Sequence, residues 1–185
     1  MSRIPILTPD LMTADQKRIH DAVVSGPRGM LVGPLRAAIH RPELADKWQQ
    51  FGELLRYRTS LPARLSELAI LVTARHWDCQ VEWHLHERDA IRANLEMPII
   101  DAIRLGQRPA GMDAETAAVH DFATELLRDR FVSERTYQLV LARWDVVGVV
   151  ELTAIVGYYS MVAMTLKAHE LPLPEGVAPP LEARA

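Results

Sequence analysis

A single cysteine, Cys79, is all the sulfhydryl this 185-residue sequence contains. One thiol can form no intrachain disulfide and no cysteine-based zinc cage. That usage suits a reducing compartment. Basic charge is not in excess either. Lys and Arg number 21 against 24 Asp and Glu, for a net charge of −3. No basic field is present to bind nucleic acid, and there is no acidic tail. The opening residues, MSRIPILTPDLMTADQ, lack the apolar core of a secretory leader, so a cytoplasmic location is expected. Strand-like alternation, low-complexity tracts, a domain-scale linker and a repeat of roughly 33–50 residues are all lacking.

What remains is an ordinary globular balance, with 49% hydrophobic and 24% charged residues. That predicts one domain over residues 1–185 with a substantial core. The run from Val146 to Leu166 is about long enough to span a bilayer. Yet Glu151 sits well inside it, two glycines interrupt it, and no basic cluster flanks it. A central or subunit-interface helix is the better reading, with no membrane partner.

The pattern is helical nearly throughout, which predicts an all-α protein. Thr13 with Gln16 reads as a capping box, for a helix ending near Gly26-Pro27. Residues 27–34 form a glycine- and proline-rich loop, followed by a short helical piece to His40. Pro42 opens a helix to about Tyr57, with Leu44, Trp48, Phe51 and Leu55 as its apolar face. The next runs from Ser60-Leu61-Pro62 to about Trp77. Asp78 is the expected N-cap of a helix over 79–95. Shorter and longer helices follow to about 106, over 113–130, over 133–144 and over 145–169. Residues 170–185 are a proline-rich tail expected to wrap this chain's surface or a neighbouring subunit.

The chemistry concentrates between Glu67 and Ala90. Glu82 and His86 are four residues apart, about one turn along one helix face, with Cys79 and Trp83 beside them. Burying a carboxylate and an imidazole costs several kcal/mol unless they find partners. The stripe is therefore either a structural hydrogen-bond cluster or an active site. Glu67 opens the apolar run LAILVTA and needs a partner too. Arg64, one turn earlier, is the ordinary choice; His86, across a helical hairpin, is the other. A Glu67–His86–Glu82 relay would fix the imidazole tautomer and serve general acid–base catalysis.

Cys79 reads either as a thiol activated at a helix N-terminus or as a small buried hydrophobe. His84 points away from His86 by roughly 200°, which leaves no metal site, and no cofactor is expected. His20, His40 and His120 occupy polar positions expected to be exposed. His169 is placed to cap the carbonyls of the last helix. Among the tryptophans, only Trp83 is tied by position to the polar stripe.

These residues carry a resemblance. ELAIL at Glu67–Leu71, then Cys79, Glu82-Trp83 and His86, is similar to the signature of the carboxymuconolactone decarboxylase family, which includes alkylhydroperoxidase D. TSLPARLSELAILVTAR and the later VVELTAIVGYYSMVA also resemble it. The likeness covers 34–167. It implies an all-helical bundle of the alkylhydroperoxidase D-like type, assembled as a homo-oligomer, a trimer or hexamer. In the peroxidase branch two cysteines and a histidine follow a glutamate. Here Glu67, Cys79 and His86 match, but Glu82 replaces the second, peroxide-attacking cysteine and Val81 replaces a further histidine. The two-cysteine cycle cannot run within this chain.

In the decarboxylase branch, glutamate and histidine share the spacing of Glu82 and His86, and no metal or organic cofactor is needed. The resemblance thus implies His86 as proton donor or shuttle, Glu82 as its orienter or second proton carrier, and Glu67 as anchor. Trp83 is expected to touch the small-molecule substrate, a carboxylated or lactone-like metabolite. Arg75 and Arg58 are candidates to meet its carboxylate. The alternatives are peroxidase-like chemistry through Cys79, and a non-catalytic member whose polar cluster is structural.

Overall fold

The computed structural model describes residues 2–26 and 29–182. The expected loop over 27–34 and tail over 170–185 therefore lie partly outside the described residues, at 27–28 and 183–185. Among the described residues all regular structure is helical. After a 3-10 turn at Pro9–Leu11, the helices are α1 (Ala14–Ser25), α2 (Leu35–Ala38), α3 (Pro42–Tyr57), α4 (Ala63–His76), α5 (Gln80–Arg92), α6 (Met97–Arg104), α7 (Ala114–Asp129) and α8 (Glu134–Ala168).

Local chemistry sets the boundaries. The Thr13 hydroxyl accepts from the Gln16 N–H while the Gln16 side chain accepts from the Thr13 N–H, which closes the capping box. The Asp113 side chain caps α7 by accepting from the Thr116 N–H, and the Ser133 side chain caps α8 by accepting from the Thr136 N–H. The two helices expected over 133–144 and 145–169 are joined as α8, with a break at Asp145 (φ 56°). Aspartate tolerates this left-handed conformation better than most residues, and its Oδ1 accepts from the Val146 N–H at 2.7 Å.

α4 is the centre of the molecule. Every residue from Leu65 to Arg75 is buried, because α5, α6, α7 and α8 all pack against it. A helix covered on nearly all sides must be apolar nearly all round, which accounts for the run LAILVTA. Glu151, the carboxylate inside the apolar stretch of α8, accepts from the N–H and hydroxyl of Ser60, at 2.7 and 2.5 Å. It ties α8 to the turn before α4. No helix among the described residues is long and apolar enough to cross a membrane.

Several local expectations are corrected. The α3 core face is Ala45, Trp48, Gly52 and Leu55; Leu44 and Phe51 are exposed, because the buried stripe lies about one residue round the helix. Cys79, not Asp78, is the N-cap of α5. Asp78 adopts φ 47°, and its carboxylate pairs with Arg75 at 2.7 Å. His169 ends α8 through its backbone N–H, which donates to the Thr165 carbonyl at 3.2 Å. The tail wraps its own chain: Gln80 and Leu181 exchange two hydrogen bonds of 2.9 Å.

Candidate active site

The α4–α5 hairpin brings Glu67 and His86 together. His86 Nδ1 lies 2.8 Å from Glu67 Oε2, with both side chains buried. A carboxylate oxygen accepts, so Nδ1 is the donor and Nε2 is left for other chemistry. Arg64, the ordinary alternative partner for Glu67, instead donates to Thr116 at 2.6 Å and Asp113 at 3.2 Å. α8 closes the site from the opposite side. The Tyr159 ring meets the His86 imidazole edge-on, with centroids 4.8 Å apart, and Tyr158 packs on Tyr159 at 5.1 Å.

Glu82, one turn before His86, is 1% exposed. Neither carboxylate oxygen has a nitrogen or oxygen hydrogen-bond partner; the Cys79 thiol, a weak donor, is the group beside it. Burial holds its pKa well above the ordinary carboxylate range. The Cys79 thiol, also buried, is pushed up to about 12, chiefly by desolvation. Burial likewise raises Tyr159. These three groups therefore favour their neutral forms.

Glu82, His86, Tyr158 and Tyr159 line a cavity of about 40 Å³, closed by Arg56 from the end of α3 and by the loop residues Val32–Pro34. That is room for little more than ordered water. Arg56 makes an ion pair with Asp89. Glu67, His86 and Asp89 each offer a possible metal-ligand atom, all within 4.8 Å of one another. The Arg56 guanidinium already neutralises one of the two carboxylates, so a cation there would compete with that ion pair.

The structure thus brings together Glu67, Glu82 and His86. Cys79 lies at the base of the same helix, buried and outside the cavity lining. Trp83, expected to touch the substrate, is also outside that lining. It is fully buried, donates through Nε1 to Glu87 at 3.1 Å, and lies under the Arg104 guanidinium. Being the residue after Glu82, it points about 100° round α5, toward α6. Arg75 and Arg58 do not line the cavity; Arg58 pairs with Glu53. The cation that does line it is Arg56. Arg56 lies in the last turn of α3 whereas Arg58 caps it with non-helical φ/ψ, and the packing of α3 on α8, with the Arg56–Asp89 ion pair to α5, distinguishes the two. Tyr159 was legible only as one of several aromatics.

Residues 42–124 match the carboxymuconolactone decarboxylase family. The resemblance read from the sequence is thereby shown over the segment that holds Glu67, Cys79, Glu82 and His86. The chain is similar to an uncharacterised peroxidase-related protein from Ralstonia eutropha JMP134 with an alkylhydroperoxidase AhpD core. The identity is 14% and the TM-score 0.76, covering 94% of this chain and 93% of that one. It is also similar to the debrominase Bmp8, in a cysteine-to-alanine variant with 2,3,4-tribromopyrrole bound. There the identity is 14% and the TM-score 0.74, with 95% of each chain covered. A peroxidase-related protein from Silicibacter sp. TM1040 gives 14%, 0.74, and 92% and 91% coverage. Such likenesses show the fold, the alkylhydroperoxidase D-like helical bundle. No curated protein matches the chain.

Proposed function

We propose that the chain is a decarboxylase-like enzyme that performs cofactor-independent acid–base chemistry on a small carboxylated, lactone-like metabolite. The observation that carries this reading is Glu82, a fully buried carboxyl group with no nitrogen or oxygen partner and only the weakly donating Cys79 thiol beside it, one turn from the Glu67–His86 pair. A purely structural cluster would satisfy its polar groups, because each buried orphan costs stability. A carboxyl group held protonated by its surroundings is instead the equipment of a general acid near neutral pH.

In this mechanism the Arg56 guanidinium receives a carboxylate of the substrate. Loss of CO₂ leaves its bonding electrons in the ring as a dienolate, and the neutral Glu82 carboxyl protonates the carbon. The proton on Glu82 is then restored from water through His86 Nε2, with Glu67 holding the opposite nitrogen. Tyr159 fixes the imidazole plane. The cavity must enlarge to admit such a substrate. Val32–Pro34 is its non-helical wall, and so the part that can move without breaking a helix.

We also propose a homo-oligomer built on α8. Val146, Val150, Thr153, Gly157, Met161 and Met164 recur at helical spacing, and all are exposed. Val150 alone is 61% exposed. An apolar face of this length on a soluble chain points to a partner surface, and a second copy supplies a matching one.

The test is a panel of carboxylated lactones incubated with the protein in D₂O, reading CO₂ release and deuterium at the protonated carbon. The reading requires turnover that drops at least about 100-fold in Glu82→Gln. Turnover undiminished in Glu82→Gln, or absent across the panel, counts against it.

A further inference from the structure

A second, larger cavity lies on the other side of α4. It encloses about 470 Å³ between α4, the α6–α7 loop and α7. That volume is within the usual range for small-molecule sites, and more than ten times that of the cavity at Glu82. Val72, Ile103 and Leu127 give it apolar walls.

Its most informative residue is His120. The sequence places this histidine on an exposed position, yet it is 5% exposed, because α7 buries Thr116, Val119, His120 and Ala123 as one face. His120 Nδ1 lies 2.9 Å from Asp121 Oδ1. The carboxylate can only accept, so Nδ1 carries the proton. Burial lowers the His120 pKa, so the ring is neutral and Nε2 presents a lone pair. Nε2 makes no hydrogen bond to any described residue, and the ring lines the cavity. An acceptor that opens onto a cavity of this size can take a hydrogen bond from a donor on whatever enters.

The rim supplies the opposite chemistry. Arg108 uses Nε and Nη2 to hold Asp121, at 3.0 and 2.8 Å. Arg128 uses the same two atoms to hold Asp129, at 2.7 and 2.6 Å. Both guanidiniums are more than half exposed, and each leaves its Nη1 edge free of its carboxylate partner and open to a further acceptor.

We infer that this cavity binds a small hydroxylated organic acid, its hydroxyl donating to His120 Nε2, its carbon body against Val72, Ile103 and Leu127, and its carboxylate at Arg108 and Arg128. The site is separate from the one at Glu82 and does not depend on the function proposed there.

The test is calorimetric titration of the full chain with 4-hydroxybenzoate and, in parallel, benzoate. These two probes are rigid and differ only in the donor. A site that uses this acceptor discriminates against the analogue that lacks the donor. The expected result is saturable binding of 4-hydroxybenzoate at least about tenfold tighter than that of benzoate. It should be abolished by Thr124→Trp, because Thr124 lines the cavity and the larger side chain would fill it, and unaffected by Glu82→Gln. In the wild-type protein, the His120 Nε2 nitrogen-15 signal should shift in proportion to occupancy, a readout that does not require the Trp variant to fold. No saturable binding, equal affinity for the two probes, an unmoved His120 signal, or binding lost in Glu82→Gln would each overturn the assignment.

Discussion

His86 Nδ1 and Glu67 Oε2, 2.8 Å apart and both buried, join α5 to α4 well away from the turn that connects the two helices. The pair is a structural tie and, in the proposed mechanism, also orients the imidazole, and the two roles respond differently to mutation. Glu67→Gln keeps an acceptor for the imidazole N–H but removes the charge that favours one tautomer. It is expected to cost about 1–3 kcal/mol of stability by chemical denaturation, while turnover falls by about 10²-fold or more. His86→Asn removes the proton shuttle and should lower turnover further. A large stability loss with unchanged turnover would make the pair structural only.

Cys79 is expected to be inert in the native protein. Its thiol is 2% exposed, and with a pKa pushed up to about 12 almost no thiolate exists at neutral pH. A substoichiometric organic hydroperoxide with a sulfenic-acid trap should leave Cys79 unlabelled until the chain unfolds. Cys79→Ala should retain turnover. Rapid native labelling, lost in His86→Asn, would restore the peroxidase-like reading.

Arg56 should govern substrate capture. Arg56→Met removes the cation facing the cavity and is expected to raise KM by about 10–100-fold, the worth of a charge-assisted hydrogen bond. The same change orphans Asp89, so Arg56→Met with Asp89→Asn is the control that separates capture from that local charge. A KM unchanged in both would remove Arg56 from the account.

The amino-acid sequence makes most of the fold legible, for identifiable reasons. Thr13, Asp113 and Ser133 are caps whose side chains act on their own helices, so their signal is local. The break at Asp145 falls where the pattern of α8 changes from mixed to apolar. Glu67, Glu82 and His86 are legible because two lie one turn apart and the third opens a buried run. Arg56 is not, because choosing it over Arg58 requires knowing where α3 ends and how it packs on α8. His120 is not, because adjacent charges mask the buried face of α7. Trp83 misleads because it shares a helix with the site but points to the neighbouring α6.

The exposed stripe on α8 predicts self-association. Val150→Asp puts a charge in the middle of that stripe without touching the core or the cavity. Sedimentation should show the wild type as an oligomer, three or six copies by the family resemblance, and the variant dissociated. A monomeric wild type at micromolar concentration would leave α8 without its proposed partner.

The central claim is that Glu82 is a neutral carboxylic acid in the folded protein. Its raised pKa means that the folded state holds a proton the unfolded chain releases above about 4.3. Stability contributed by this group is therefore full below that pH and declines as pH rises toward the folded value. Glu82→Gln should flatten that decline. The direct measurement is a carbon-13 NMR titration of the Glu82 side-chain carboxyl, assigned by its loss in Glu82→Gln. The account predicts no titration in the ordinary carboxylate range and a protonated group at neutral pH. A midpoint near 4.3 would show Glu82 charged in the native protein and would contradict its role as the proton donor.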